Sequence, residues 1–177
     1  MTEQFEQCPD CGVKLPTYDG DNRPRHAYIG ASASCWDMFS NLWGANDPPL
    51  APMPLNGLIL DGYCVQHYGT QSPAAIQSVA VHLLAMYGVL RRGVLPERAQ
   101  WIRERAVRPM KIHRHKRRHW LEPLDQSSLL TVRDIVEPTD PADRARVAQD
   151  YVTAVADLWL AAYEADAGDW FDRFIAG

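Results

Sequence analysis

The chain has 177 residues, of which 46% are hydrophobic and 23% charged, and carries a net charge of −4 at pH 7. That length buries a core without disulfide staples, and the composition excludes disordered, collagenous and membrane classes. No apolar run approaches the about 18–20 residues of a membrane span, and Met1 to Glu6 lacks the basic and apolar regions of a signal peptide.

A cytoplasmic protein forming a single domain over residues 1–177 is therefore expected. In that compartment thiols stay reduced. The four cysteines, Cys8, Cys11, Cys35 and Cys64, then read as ligands, nucleophiles or small core residues rather than as two disulfides.

Residues 1–31 read as a metal knuckle and loop. Cys8-Pro9-Asp10-Cys11-Gly12 has the two-residue spacing that lets both thiolates hold one Zn²⁺, with Gly12 continuing the turn. Asp19-Gly20-Asp21-Asn22 is a turn signal, and little regular structure is expected before residue 32. Residues 32–107 form the helical core. Ser32 or Ser34 caps a short helix carrying Cys35, Trp36, Phe39 and Trp43 and closed by Gly44. The four prolines from Asn46 to Pro54 impose an extended connection.

Leu58 to His67 fits a helix that gathers Asp61, Cys64 and His67 at i, i+3 and i+6, although strand alternation would put Asp61, Tyr63 and His67 on one face; the helix is preferred. Ser72-Pro73 then opens a helix with an apolar stripe of Ile76, Val79, Leu83, Tyr87 and Leu90, ended by Gly93, with His82 at the stripe's edge. Pro96 starts a second helix running to about Val107 and pairing with the first.

Residues 108–138 read as an irregular basic segment in which Thr131 to Val136 forms one helical turn or a short strand. Residues 91–118 hold eleven of the eighteen Lys and Arg against only Glu97 and Glu104, a local charge of +9 that leaves −13 on the rest. The basic stretch at 108–119 suits an anionic partner, nucleic acid or an acidic protein, or else a solvated loop. Residues 139–177 hold the C-terminal helices: Asp140-Pro141 opens a long one with Ala148, Tyr151, Val152, Val155, Trp159 and Ala162 on one face, and a short final helix is expected after Gly168. The sum is an all-α helical bundle with an N-terminal zinc knuckle.

Two cysteines make half a metal site. Cys35, in the first turn of a helix, is the first choice for a third ligand, against the alternative of a small buried thiol. A fourth comes from His26, giving a closed local clasp, or from His67, which would bolt the knuckle to the helical body; spacing leaves both open. Unliganded or redox-active thiols are the alternative for Cys8 and Cys11. Asp61, Tyr63, Gln66, His67, Gln77 and His82 form a second polar concentration, in which a carboxylate beside a histidine orients the ring and raises its basicity. Asp61, His67 and His82 are the candidate catalytic or ligand-binding residues, and a network fixing helix register is the alternative. Cys64 reads as core packing because the sequence shows no basic neighbour for it.

Cys8-Pro-x-Cys11-Gly, His26-x-Tyr28, Ser32-x-x-Cys35-Trp36, Asp61-x-Tyr63-x-x-Gln66-His67 and Ser78-Val-Ala-Val-His82 together resemble a small bacterial family classed only as a domain of unknown function. The likeness runs over about residues 8–92. It departs at His67-Tyr68-Gly69, where the family pattern has proline after the histidine. The resemblance implies that knuckle and polar helices belong to one design, and implies no activity. Three functions remain: a zinc protein with a polar pocket for an unidentified small molecule, a metal-dependent enzyme with an open coordination position, and an adaptor using the basic loop.

Overall fold

A computed structural model describes residues 4–17, 26–44, 56–69, 72–112 and 121–176. The expected turn at Asp19–Asn22, the extended proline connection, and residues 113–119 of the basic segment lie outside the described residues. The described residues are mostly helical, with six α-helices and one two-stranded sheet.

The sheet is the small amount of regular structure in an N-terminus where little was expected. Strands β1 (Phe5–Gln7) and β2 (Lys14–Pro16) pair antiparallel in the register Phe5 with Pro16, Glu6 with Leu15 and Gln7 with Lys14. The cysteine turn lies between them, closed by Cys8 N–H to the Val13 carbonyl at 2.8 Å and Gly12 N–H to the Cys8 carbonyl at 2.9 Å. Gly12 stands at φ +75°, the left-handed region a side chain avoids. A hairpin this short is marginal alone, and it is pinned from outside: Glu6 Oε1 accepts from Ser34 N–H at 2.7 Å, and Ser34 Oγ donates to the Pro16 carbonyl at 3.0 Å.

Those bonds fasten the hairpin to the first turn of α1 (Ala33–Gly44), where Ser32 Oγ accepts from Cys35 N–H at 3.3 Å. Ser32 is thus the cap, one of the two residues the sequence offered. Next come α2 (Asn56–Gln66), the helix preferred over a strand at this position, and α3 (Pro73–Leu90), capped by Ser72 Oγ accepting from Ala75 N–H at 3.1 Å. A 3₁₀ turn at Pro96–Arg98 leads into α4 (Ala99–Ile112), which runs further than expected. Thr131 opens α5 (Val132–Val136), a single helical turn rather than a strand, through a capping box with Asp134.

The longest element, α6 (Pro141–Phe171), begins with Asp140 Oδ1 accepting from Ala142 and Asp143 N–H groups. The short final helix expected after Gly168 is a π-helix over Asp172–Ala176 that follows α6 directly, and α6 is itself interrupted at Tyr163 (φ −129°, ψ 20°).

α3 packs against α2, α4 and α6, and α2 packs in turn against α6 and touches α4. Leu58, Ile59, Tyr63, Leu83, Leu84, Met86, Ile102, Tyr151, Trp159 and Leu160 are wholly buried. At Gly88 a β-carbon would stand 2.5 Å from Ile102 and 2.8 Å from Phe171, so glycine there lets α3 approach α4 and α6 closely. α2 has no single apolar face: Asp61, Tyr63 and Gln66 are all buried on it alongside Leu58, Ile59 and Val65, and His67, just after it, is buried too. Such a helix has neighbours all round, and each polar group needs a partner among them. Among the described residues no helix is long and apolar enough to cross a membrane.

Candidate metal centre

The fold brings the turn of the hairpin, the first turn of α1 and the residue after α2 to one point. Each contributes sulfur or imidazole: Cys8 and Cys11 from the turn, Cys35 from α1, His67 from the end of α2. Their ligand atoms lie within 4.8 Å of one another and all four residues are buried. Cys11 Sγ is 3.9 Å from Cys35 Sγ, and Cys35 Sγ is 3.4 Å from His67 Nε2. For ligands arranged tetrahedrally at the usual zinc bond lengths, sulfurs stand about 3.8 Å apart and sulfur and nitrogen about 3.6 Å. The donor set and its spacing fit one tetrahedral metal ion.

The surroundings hold these groups in the form a metal requires. His67 Nδ1 is 2.9 Å from the Tyr63 carbonyl, an acceptor, so Nδ1 carries the ring proton and Nε2 turns its lone pair toward the sulfurs. Ser32 N–H donates to Cys8 Sγ at 3.4 Å, and the Tyr63 hydroxyl is 3.5 Å from Cys35 Sγ. Tyr63 is itself stacked on Phe39, centroids 3.9 Å apart, and its ring lies 4.0 Å from that of His67. The approach of the loop before α1 to the end of α2 depends on Gly30, where a β-carbon would meet Asp10 and stand 2.6 Å from Gly69 Cα. Asp10 Oδ2 accepts from Gly69 N–H at 2.8 Å and so ties the cysteine turn to the residues following His67.

Electrostatics within the group are mutually frustrated. Hydrogen bonds from Cys11 and Cys35 pull the Cys8 thiol far below its ordinary range, while contacts with Cys11 and Cys8, and then burial, drive Cys35 far above it. Burial works against a charge on His67, yet hydrogen bonds with Cys11 and Cys8 push its pKa up to about 10. Three buried thiols beside one imidazole ionise once at low cost and not three times. A dication held among them would allow all three thiolates with a neutral histidine.

His26 is not in the group. Its ring packs edge-on against Tyr28 at 4.3 Å and lies 5.2 Å from Trp36, and its buried Nδ1 has no hydrogen-bond partner. Asp61 and His82 do come together, His82 Nδ1 standing 2.7 Å from Asp61 Oδ1, but His67 faces the cysteines instead. The other carboxylate oxygen, Asp61 Oδ2, is 2.6 Å from Arg103 Nη1 of α4. Arg103 is the partner that sequence reasoning missed, because it was counted within a basic run; its place next to buried Ile102 was the available signal. Cys64 also has a basic neighbour that the sequence did not show, His82, with which it interacts electrostatically.

Gln66 serves a third set. Its Oε1 accepts from the Tyr151 hydroxyl at 3.1 Å, its Nε2 donates to the Leu130 carbonyl at 2.9 Å, and its own carbonyl accepts from Gln126 Nε2 at 3.0 Å. Gln126 Oε1 in turn accepts from Trp159 Nε1 at 3.0 Å. This network seats α6 and the segment before α5 on the end of α2, beside the metal ligands. On its outer side an open polar groove of about 460 Å³ is lined by Gln7, Cys8, Asp10, Tyr68, Asp125 and Gln126, among others.

A family model described as "Family of unknown function (DUF5946)" matches residues 6–160. No curated protein and no solved structure matches the chain.

Proposed function

The chain belongs to a family of unknown function, DUF5946, and from that premise we propose that it is a zinc-binding helical protein whose metal closes the structure around Cys8, Cys11, Cys35 and His67. The observation that carries this reading is the burial of three sulfurs and one imidazole nitrogen within 4.8 Å of one another. Sulfur-rich donor sets favour soft or borderline ions, and three thiolates with one imidazole are a common structural set for Zn²⁺. Four protein donors leave no open position, which favours a structural metal over one that activates water. With zinc held, the hairpin, α1 and α2 become one unit, although the hairpin alone could not keep its place. A polar pocket for a small ligand is then a separate property, which the groove beside Cys8 would supply, apart from the Asp61–His82 pair.

Metal analysis of the purified protein and of Cys8→Ser, Cys35→Ser, His67→Ala and His26→Ala tests the assignment. One zinc per chain is expected in the wild type and in His26→Ala, with loss in the other three. Full metal content in His67→Ala together with loss in His26→Ala would reverse the choice of histidine, and a folded wild type free of metal would end the reading.

A further inference from the structure

The described arginines between residues 91 and 108 fall into two sets. Arg91 stands 2.7 Å from Asp157, Arg92 2.7 Å from Asp172 and Arg103 2.6 Å from Asp61, so each is neutralised by a carboxylate of its own chain. Arg98 and Arg108 are exposed and form no such pair among the described residues. Arg98 lies instead over the ring of Trp101, its Cζ 4.6 Å from the centroid. Arg105 lies over the same ring at 5.1 Å.

These groups share one face. Arg98 closes the 3₁₀ turn that leads into α4, and Trp101, Arg105 and Arg108 follow it at i+3, i+7 and i+10, one stripe of a helix. Ala99, Ile102 and Ala106 make the buried side of α4, so the stripe is turned away from the core. Glu104 is the acid beside it, accepting from Gln100 Nε2 at 3.0 Å. From Arg98 to Arg108 the helix rises about 15 Å, close to four nucleotide steps of about 3.4 Å each. The stretch 91–118 that contains the stripe is net +9, although the whole chain is −4, so a polyanion is drawn to this side and repelled by the rest.

We propose that the stripe of Arg98, Trp101, Arg105 and Arg108 is a docking surface for single-stranded nucleic acid, held by its phosphates and by stacking of its bases on the guanidinium planes. Charge complementarity alone would admit any polyanion. Residue type selects nucleic acid: every cation of the stripe is arginine, whose planar fork takes phosphate oxygens in pairs, where lysine offers a point charge. The layering of guanidinium groups on Trp101 selects a single strand. Unpaired bases stack on aromatic rings and arginine planes, whereas a duplex keeps its bases stacked on one another. Such contacts are largely independent of base sequence. None of the four residues is a proposed zinc ligand, so the inference stands apart from the zinc reading.

The test is fluorescence anisotropy of a labelled oligothymidylate about 20 nucleotides long, titrated with the folded chain over a range of salt concentrations. The wild type is expected to bind, with an affinity that falls as salt rises. Arg98→Gln combined with Arg108→Gln removes two phosphate contacts, so the affinity falls and the slope of log K against log salt shrinks by about 1.4. Arg133→Gln combined with Arg146→Gln removes the same charge from exposed sites elsewhere and leaves affinity and slope in place. Arg98→Lys combined with Arg105→Lys keeps the slope but weakens binding about threefold or more, because the planar groups are lost. No binding by the folded wild type at about 50 mM salt, or binding that the two glutamine pairs affect alike, overturns the proposal. Duplex DNA or polyglutamate bound as tightly as the oligothymidylate overturns the choice of partner, and so does full affinity in the lysine pair.

Discussion

Two buried polar groups lie on different faces of α2, and they balance charge in opposite ways. Around His67 the chain assembles three thiols and an imidazole, donors that become anionic together with no arginine or lysine among them. Around Asp61 it supplies the cation itself, Arg103, along with His82. A buried charge is tolerated only when paired. On the proposed reading the first group is completed by an ion from outside the chain, whereas the second carries its own counterion. Inspection of donor types alone would class both as candidate metal or catalytic sites; the presence of a built-in counterion is what separates them.

The sharpest way to break this contrast is to remove the counterion. Arg103→Met keeps the volume of the stem but leaves Asp61, wholly buried, with His82 as its remaining partner. A loss of about 3–5 kcal/mol in denaturant unfolding is expected, the range found when one member of a buried pair is deleted. Zinc per chain should not change. A variant with wild-type stability would show that Asp61 does not need Arg103, and one that lost zinc would show that the two groups are coupled rather than separate.

A smaller effect tests the same group through pH. Burial disfavours a charge on His82, but Cys64 and Asp61 outweigh it and push its pKa up to about 10. A folded-state value above the unfolded one of about 6.5 means that protonated His82 stabilises the native state. That contribution is fully present below about pH 6.5 and is lost as pH rises through about 10. In zinc-loaded protein, the stability gap between wild type and His82→Gln should therefore be largest near pH 6 and shrink steadily toward pH 10. A gap that stays constant over this span would mean that His82 acts by packing and hydrogen bonding without its charge.

The contrast also marks where sequence reading reached its limit. The spacing of Cys8 and Cys11 is local, and a cysteine in a helix's first turn is local as well, so three of the four clustered side chains stood out before any fold was known. Choosing between His26 and His67 required knowing that the end of α2 returns to the hairpin, a tertiary fact set by Gly30, Asp10 and Gly69 contacts. The helix at Leu58–His67 was ambiguous for a related reason: α2 is buried on every side, so neither helical nor strand periodicity stands out in its sequence. Arg103 looked like one cation of a basic stretch, because sequence distance from Asp61 hides a contact that α3 and α4 create by folding back. The hairpin escaped notice because three-residue strands carry almost no alternation, and their support comes from Glu6 and Ser34, bonds between distant residues.

The smallest effect separates helix capping from metal support at a single residue. Ser32 does both: its side-chain oxygen accepts from Cys35 N–H at 3.3 Å, and its backbone N–H donates to Cys8 Sγ at 3.4 Å. Ser32→Ala deletes the first bond and keeps the second, since alanine retains the backbone N–H. Loss of the cap should cost about 1 kcal/mol, read as a modest fall in unfolding midpoint, with the metal-to-protein ratio unchanged. Metal loss in this variant would mean that the orientation of Cys35 depends on the cap, so that α1 presents its ligand only when its first turn is held. Retention with the expected small destabilisation would place the support of the sulfurs in the backbone, which side-chain substitution cannot remove.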